Sequence, residues 1–293
     1  MKIAFSDFWP GWDDRENFLV SILGNLGISF EIVDDDADLL IASCFGFSWT
    51  GKKAGKRIYW TGENWYRTDD PLPELGGKRI IDFFDMVYSF DYNSHPNHHR
   101  MPLYALDCVV KGITDFNDVI RRKGKDQLKR EFESRKFCTF VQGNSVSPFR
   151  NQYFHQLCEI QTVDSFGPVF NNTGIVVDRA GKIEKTRDYK FAMAFENSEY
   201  AGYVTEKLVD ALVSDVVPVY WGGSRVGEEF NPKAFVDVAG LGVERSLSLV
   251  RELNADFELY WEFYRQPIVS PGQLPLAERI DEFYRSLRKC IGA

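Results

Sequence analysis

Residues 190–223 read KFAMAFENSEYAGYVTEKLVDALVSDVVPVYWGG. The short apolar run ending at Phe195 predicts a buried strand over 190–195. A helix is expected over 205–213, and a second buried strand over 216–221, giving one βαβ unit. In such sheets ligands sit outside the carboxyl ends of the strands, against helix amino ends. Glu196 and Asn197 then stand at the mouth of a site, with Thr205, Glu206 and Lys207 in the first helical turn. A helix amino end offers free N–H groups and a partial positive charge, and Lys207 adds a full one. This chemistry suits a diphosphate, and Glu206 suits hydroxyls such as those of a ribose. The same residues also fit an N-capped surface helix whose Glu and Lys face water.

Working outward, the chain alternates in two halves. Strands are expected at 3–5, 28–33, 39–44 and 57–60, with a helix at 16–26 whose Phe18, Leu19, Ile22, Leu23 and Leu26 recur at helical spacing. The second half opens with a strand at 137–142 and a helix at 150–159. Between the halves, 107–136 is polar and reads as a partly helical linker. Its basic cluster Arg121-Arg122-Lys123-Gly124-Lys125 fits a solvated face. The tail, 276–290, is amphipathic through Ile280, Phe283, Tyr284 and Leu287. The expected organisation is α/β: a first domain with linker over 1–130, a second over 131–270, and a terminal helix over 271–293 that packs back on the first. Two such halves place a binding site in the cleft between them.

The 293 residues are 44% hydrophobic and 27% charged, enough to bury a core, which excludes a disordered chain. With 35 basic and 43 acidic side chains, net −8, a general nucleic-acid coat is excluded. Cys44, Cys108, Cys138, Cys158 and Cys290 are scattered without a CxxC, so neither a zinc site nor a disulfide framework is expected. Free thiols, no signal peptide and no membrane-length apolar run predict a cytoplasmic protein, with weak peripheral membrane association left open. There is no G-x-G-x-x-G and no P-loop. Asp34, Asp35, Asp36 and Asp38 precede a strand rather than follow one, and read as a solvated turn. His95, His98 and His99 surround Pro96 and Asn97 as in a turn, so no metal site is expected there. Thr61-Gly62-Glu63-Asn64 follows the strand at 57–60, so Glu63 projects from a carboxyl end where a carboxylate can take a proton from a hydroxyl. As a bare turn glutamate it needs no such role. Arg150 stands at a helix start, where its fork suits phosphate oxygens or merely caps the surface.

The block FENSEYAGYVTEKLVDAL…VPVYWGG resembles the donor-binding signature of the α1,3-fucosyltransferases, glycosyltransferase family 10. TGEN, FDYN…RMPLY, the 144–151 stretch and FNPKAFVDV resemble the same family in the same order, closer to its bacterial members than to animal ones. The resemblance implies a GT-B fold of two Rossmann-like domains, acceptor in the first and GDP-fucose in the second. It implies inverting transfer of L-fucose to O3 of GlcNAc or glucose in a galactose-containing glycan. No metal is expected, because two cationic side chains and a helix amino end can stabilise the departing diphosphate and no well-placed DxD is present. By motif, Glu63 matches the general base, Arg150 and Lys207 the diphosphate ligands, Glu206 the ribose ligand, and Asn197 and Tyr203 further donor contacts, with Glu196 adjacent. Two alternatives remain at this level: a GT-B transferase using another nucleotide sugar, and a glycan-binding protein on that scaffold.

Overall fold

The computed structural model describes residues 1–64, 74–120, 122–269 and 272–292. They divide into two compact units, Met1–Thr114 with Pro275–Ala293, and Asp115–Leu274.

The first unit is built on a parallel sheet of β1 (Lys2–Ser6), β2 (Glu31–Ile32), β3 (Ala37–Ala42), β4 (Ala54–Thr61), β7 (Met86–Ser89) and β8 (His98–Arg100), in the order β2-β1-β3-β4-β7-β8. A two-stranded ribbon, β5 (Glu74–Leu75) and β6 (Lys78–Arg79), stands apart. Past the exposed Asp38, strand β3 is an apolar run, Leu39 to Ala42, because both faces of a parallel sheet are covered. Helix α1 (Phe18–Asn25) starts at Asn17, whose side chain accepts from the Val20 N–H at 3.0 Å. Helix α2 (Leu103–Lys111) follows β8. The last helix, α10 (Leu276–Ile291), buries Ile280, Phe283 and Leu287. Phe283 meets Trp60 of β4 and Tyr88 of β7 edge-on.

The second unit holds the parallel sheet β10-β9-β11-β12-β13, formed by β9 (Lys136–Phe140), β10 (Val163–Ser165), β11 (Tyr189–Phe195), β12 (Val217–Trp221) and β13 (Val236–Asp237). Around it lie α3 (Lys125–Phe132), α4 (Pro148–Cys158), α5 (Arg179–Thr186), α6 (Glu206–Val213), α7 (Val238–Leu241), α8 (Val243–Ala255) and α9 (Phe257–Tyr264). Every residue of β11 is buried.

Each sheet winds outward in both directions from its first strand. In the first unit the chain moves from β1 to β2, then returns to place β3 on the other side of β1. In the second it moves from β9 to β10, then returns to place β11 on the other side of β9. Each sheet therefore has a topological switch point, β1/β3 and β9/β11, where loops diverge and leave a crevice.

Two sequence expectations need correcting. The strand at 28–33 shrinks to Glu31–Ile32, because Gly27 at φ +74° turns the chain out of α1 and only an edge pairing follows. His98 and His99 are not in a turn; they lie on edge strand β8. Burial pushes both imidazoles down to about 4.

Among the described residues no helix is long and apolar enough to cross a membrane.

Candidate active site

The switch point of the second unit gathers most of the predicted residues. Thr205 caps α6, which places Glu206 and Lys207 at its first two positions. Glu196, directly after β11, is fully buried. One carboxylate oxygen accepts from the Thr205 N–H at 2.8 Å. The other accepts from the Thr205 hydroxyl at 2.7 Å and from Lys207 Nζ at 3.0 Å. Lys207 also donates to Thr205 Oγ1 at 2.8 Å. Glu196 thus holds the start of α6 and the Lys207 ammonium in one arrangement. A buried carboxylate needs such partners, since an unpaired one is costly. The fit depends on Gly222: a Cβ there would lie 2.3 Å from Glu196 Cγ.

Arg150 reaches the same place from the neighbouring strand's loop. Ser147 caps α4 and Pro148 sits in its first turn, where its missing N–H costs nothing. Arg150 is buried and donates to Asn197 Oδ1 at 2.9 Å, Asn144 Oδ1 at 3.1 Å and the Asn144 carbonyl at 3.0 Å. The two asparagines, 53 positions apart in the chain, fix the plane of the guanidinium.

Arg150, Lys182 and Lys207 line one cavity, with β11 as its floor. Lys182 and Arg179, both on α5, are braced by the buried Asp210 of α6 at 3.1 and 2.6 Å. Burial would raise the Glu206 carboxyl, although a quarter of the side chain reaches solvent. The Lys207, Lys182 and Arg179 charges outweigh it and bring the group down to about 2. Glu206 is therefore an anion at neutral pH, an acceptor for hydroxyl donors. The Tyr203 side chain is buried, and its carbonyl accepts from the Tyr220 hydroxyl.

Glu63 belongs to the first unit, two residues beyond β4. The Thr61 hydroxyl donates to the Glu63 carbonyl at 2.8 Å. Gly62 is pressed against α2, where a Cβ would lie 2.9 Å from Leu103 Cδ1. The half-buried Glu63 charge is felt by Cys44, whose thiol is raised mainly by burial and further by that carboxylate.

The early aspartates stay at the amino end of β3. Asp38 accepts from the Lys2 N–H at 2.7 Å and Asp35 from the Lys53 N–H at 2.6 Å. Asp210, Arg179, Lys182 and Gly222 were not singled out by the sequence. Arg179 and Asp210 are 31 positions apart and follow no motif spacing, so only the fold reveals the brace.

Known proteins share the family and the fold. Residues 131–266 match the family model described as glycosyltransferase family 10 (fucosyltransferase) C-term. Residues 3–107 match the alpha-(1,3)-fucosyltransferase FucT N-terminal domain. The alpha-(1,3)-fucosyltransferase FucT of Helicobacter pylori is 30% identical over 297 residues, covering 92% of this chain. The chain spans 60% of the length of that curated relative. A crystal structure of an α1,3-fucosyltransferase superposes with TM-score 0.78 at 23% identity, covering 100% of this chain and 90% of that one. An α1,3-fucosyltransferase crystallised with GDP-fucose superposes with TM-score 0.72 at 24% identity, covering 98% and 90%. The fold is that of the GT-B glycosyltransferases, a doubly wound parallel sheet in each of two units. Within that class, the chain belongs to glycosyltransferase family 10, the fucosyltransferases.

Proposed function

We propose that the protein is an inverting α1,3-fucosyltransferase that moves L-fucose from GDP-fucose to O3 of GlcNAc, or of glucose, in a galactose-containing acceptor. The observation that carries this reading is the pair of positioned cations, Arg150 and Lys207, at the β9/β11 switch point of a family 10 chain. Glu63 takes the proton from the acceptor hydroxyl. The oxygen forms its bond to fucose C1 as the bond from C1 to the diphosphate oxygen breaks, with inversion. GDP leaves carrying the displaced electron pair, and its negative charge is met by Arg150, Lys207 and the amino end of α6. Asn197 orients Arg150, Glu206 holds the ribose hydroxyls, and Tyr203 completes the donor pocket through its loop. Fixed cations can neutralise a leaving diphosphate, so no metal is required.

The test is transfer from GDP-fucose to N-acetyllactosamine in excess EDTA. Turnover is expected at the rate seen without chelator. Loss of turnover with rescue by Mn²⁺ would overturn the metal-free part. Turnover with another nucleotide sugar and none with GDP-fucose would overturn the donor assignment.

A further inference from the structure

The switch point of the first unit is also built, but in aromatic side chains. The loop after β1 carries Phe8, Trp9 and Trp12, and the loop after β3 carries Phe45 and Phe47. Phe8 stacks on Trp12 at 4.0 Å between centroids. Trp9 meets Trp12 edge-on at 4.7 Å and Phe45 at 6.3 Å. Trp12 continues through Phe18 to Trp60, at the end of β4. Trp9 brings this series to the surface, 42% exposed.

The two loops are tied together by Asp7. It sits at φ +59° and its carboxylate accepts from the Ser48 and Trp49 N–H groups at 3.0 and 2.9 Å. Gly46 must be glycine, because a Cβ would lie 2.4 Å from Asp7 Oδ1. The exposed indole is therefore held in place before any ligand arrives, which removes most of the ordering cost of binding. The same loop carries the carboxylates Asp13, Asp14 and Glu16, and carboxylates suit hydroxyl groups rather than phosphate.

We propose that Trp9, backed by Trp12 and edged by Phe45, is an acceptor subsite that stacks on the apolar face of the galactose ring beside the sugar receiving fucose. The proposal rests on the transfer reading above for the identity of the ligand. Glu63 follows β4, two strands from β1 at the same carboxyl edge, or about 10 Å across the sheet. That is the reach of the next ring in a disaccharide whose first ring stands at Glu63. Galactose suits an indole face because its axial O4 leaves the opposite face of the ring to C–H groups.

The test is saturation-transfer NMR of N-acetyllactosamine with the wild type, Trp9→Ala and Trp9→Phe. It is run without donor, so it reads binding even if transfer fails. Strong saturation of the galactose protons is expected in the wild type, loss in Trp9→Ala and retention in Trp9→Phe. The dissociation constant should rise about tenfold in Trp9→Ala. Melting temperature and GDP affinity serve as the folding check. Equal galactose saturation in wild type and Trp9→Ala would overturn the subsite, as would saturation confined to the GlcNAc ring. An intact, Trp9-dependent galactose signal together with no turnover of GDP-fucose would sink the transfer reading and leave the subsite standing.

Discussion

The two sheets share a winding pattern, and their switch points differ in almost every other respect. At β9/β11 the walls are Arg150, Lys182 and Lys207, each held by a buried carboxylate or by paired asparagines. At β1/β3 they are Trp9, Trp12 and Phe45, on loops that also carry Asp13, Asp14 and Glu16. The same topology creates a crevice in both places, and the side chains decide what it accepts. A crevice of fixed cations is matched to a diphosphate. One of indole faces and carboxylates is matched to a ring with one apolar face and several hydroxyls. The difference also extends to how the sites are held. The cationic site is locked by buried charge, which fails if one partner is removed. The aromatic site is locked by packing, which tolerates substitution of its exposed member.

The sharpest way to break this division is Glu63→Gln. The amide keeps the shape but cannot take the proton, so single-turnover transfer should fall about 10²- to 10⁴-fold. GDP affinity should change little, since every residue assigned to GDP lies in the second unit. A near wild-type rate would remove Glu63 as the base.

Next in size are Arg150→Ala and Lys207→Ala. Each deletes one charge-assisted contact, about 1.5–3 kcal/mol, or roughly ten- to hundredfold in GDP affinity by calorimetry. Unchanged affinity in both would move the diphosphate elsewhere. Glu196→Gln sharpens the picture further. It should weaken GDP about tenfold through Lys207, with no added loss in a Lys207→Ala background. An equal loss in both backgrounds would make Glu196 a merely structural residue.

The smallest effect concerns pH. Glu206 has its carboxyl lowered to about 2 in the folded protein from an ordinary value of 4.5. Its ionised form is favoured by folding, so its contribution is complete above about pH 4.5 and lost as pH falls toward 2. Melting temperatures recorded from pH 5 to 2 should therefore drop less steeply for Glu206→Gln than for the wild type. Parallel curves would remove the charge pairing as a source of stability.

The local structure of residues 190–223 was legible because one continuous stretch holds strand end, cap and helix start, and local rules govern each. Thr205 caps where capping chemistry places it, and Glu196, Asn197, Glu206 and Lys207 follow from that register. Arg150 was legible only as a helix-start cation; its clamp by Asn144 and Asn197 needs two loops brought together. The edge strands Val163–Ser165 and Val236–Asp237 are too short to show a period, and tertiary pairing creates them. Helices α8 and α9 meet at a single residue, Asp256, which caps the second and hides the break. Residues 65–73, which follow Glu63 and Asn64 in the chain, lie outside the described residues. Asp7 escaped notice because its partners, the amides of Ser48 and Trp49, are 41 and 42 positions away.

Hydrogen exchange on the whole chain, with GDP added alone, tests the division of labour most directly. Protection should appear in the loops leading to Arg150 and to Lys207, residues 141–150 and 196–207. The loop after β1, residues 7–16, should exchange as in the free protein. Protection of residues 7–16 by GDP, with none at 196–207, would contradict the account.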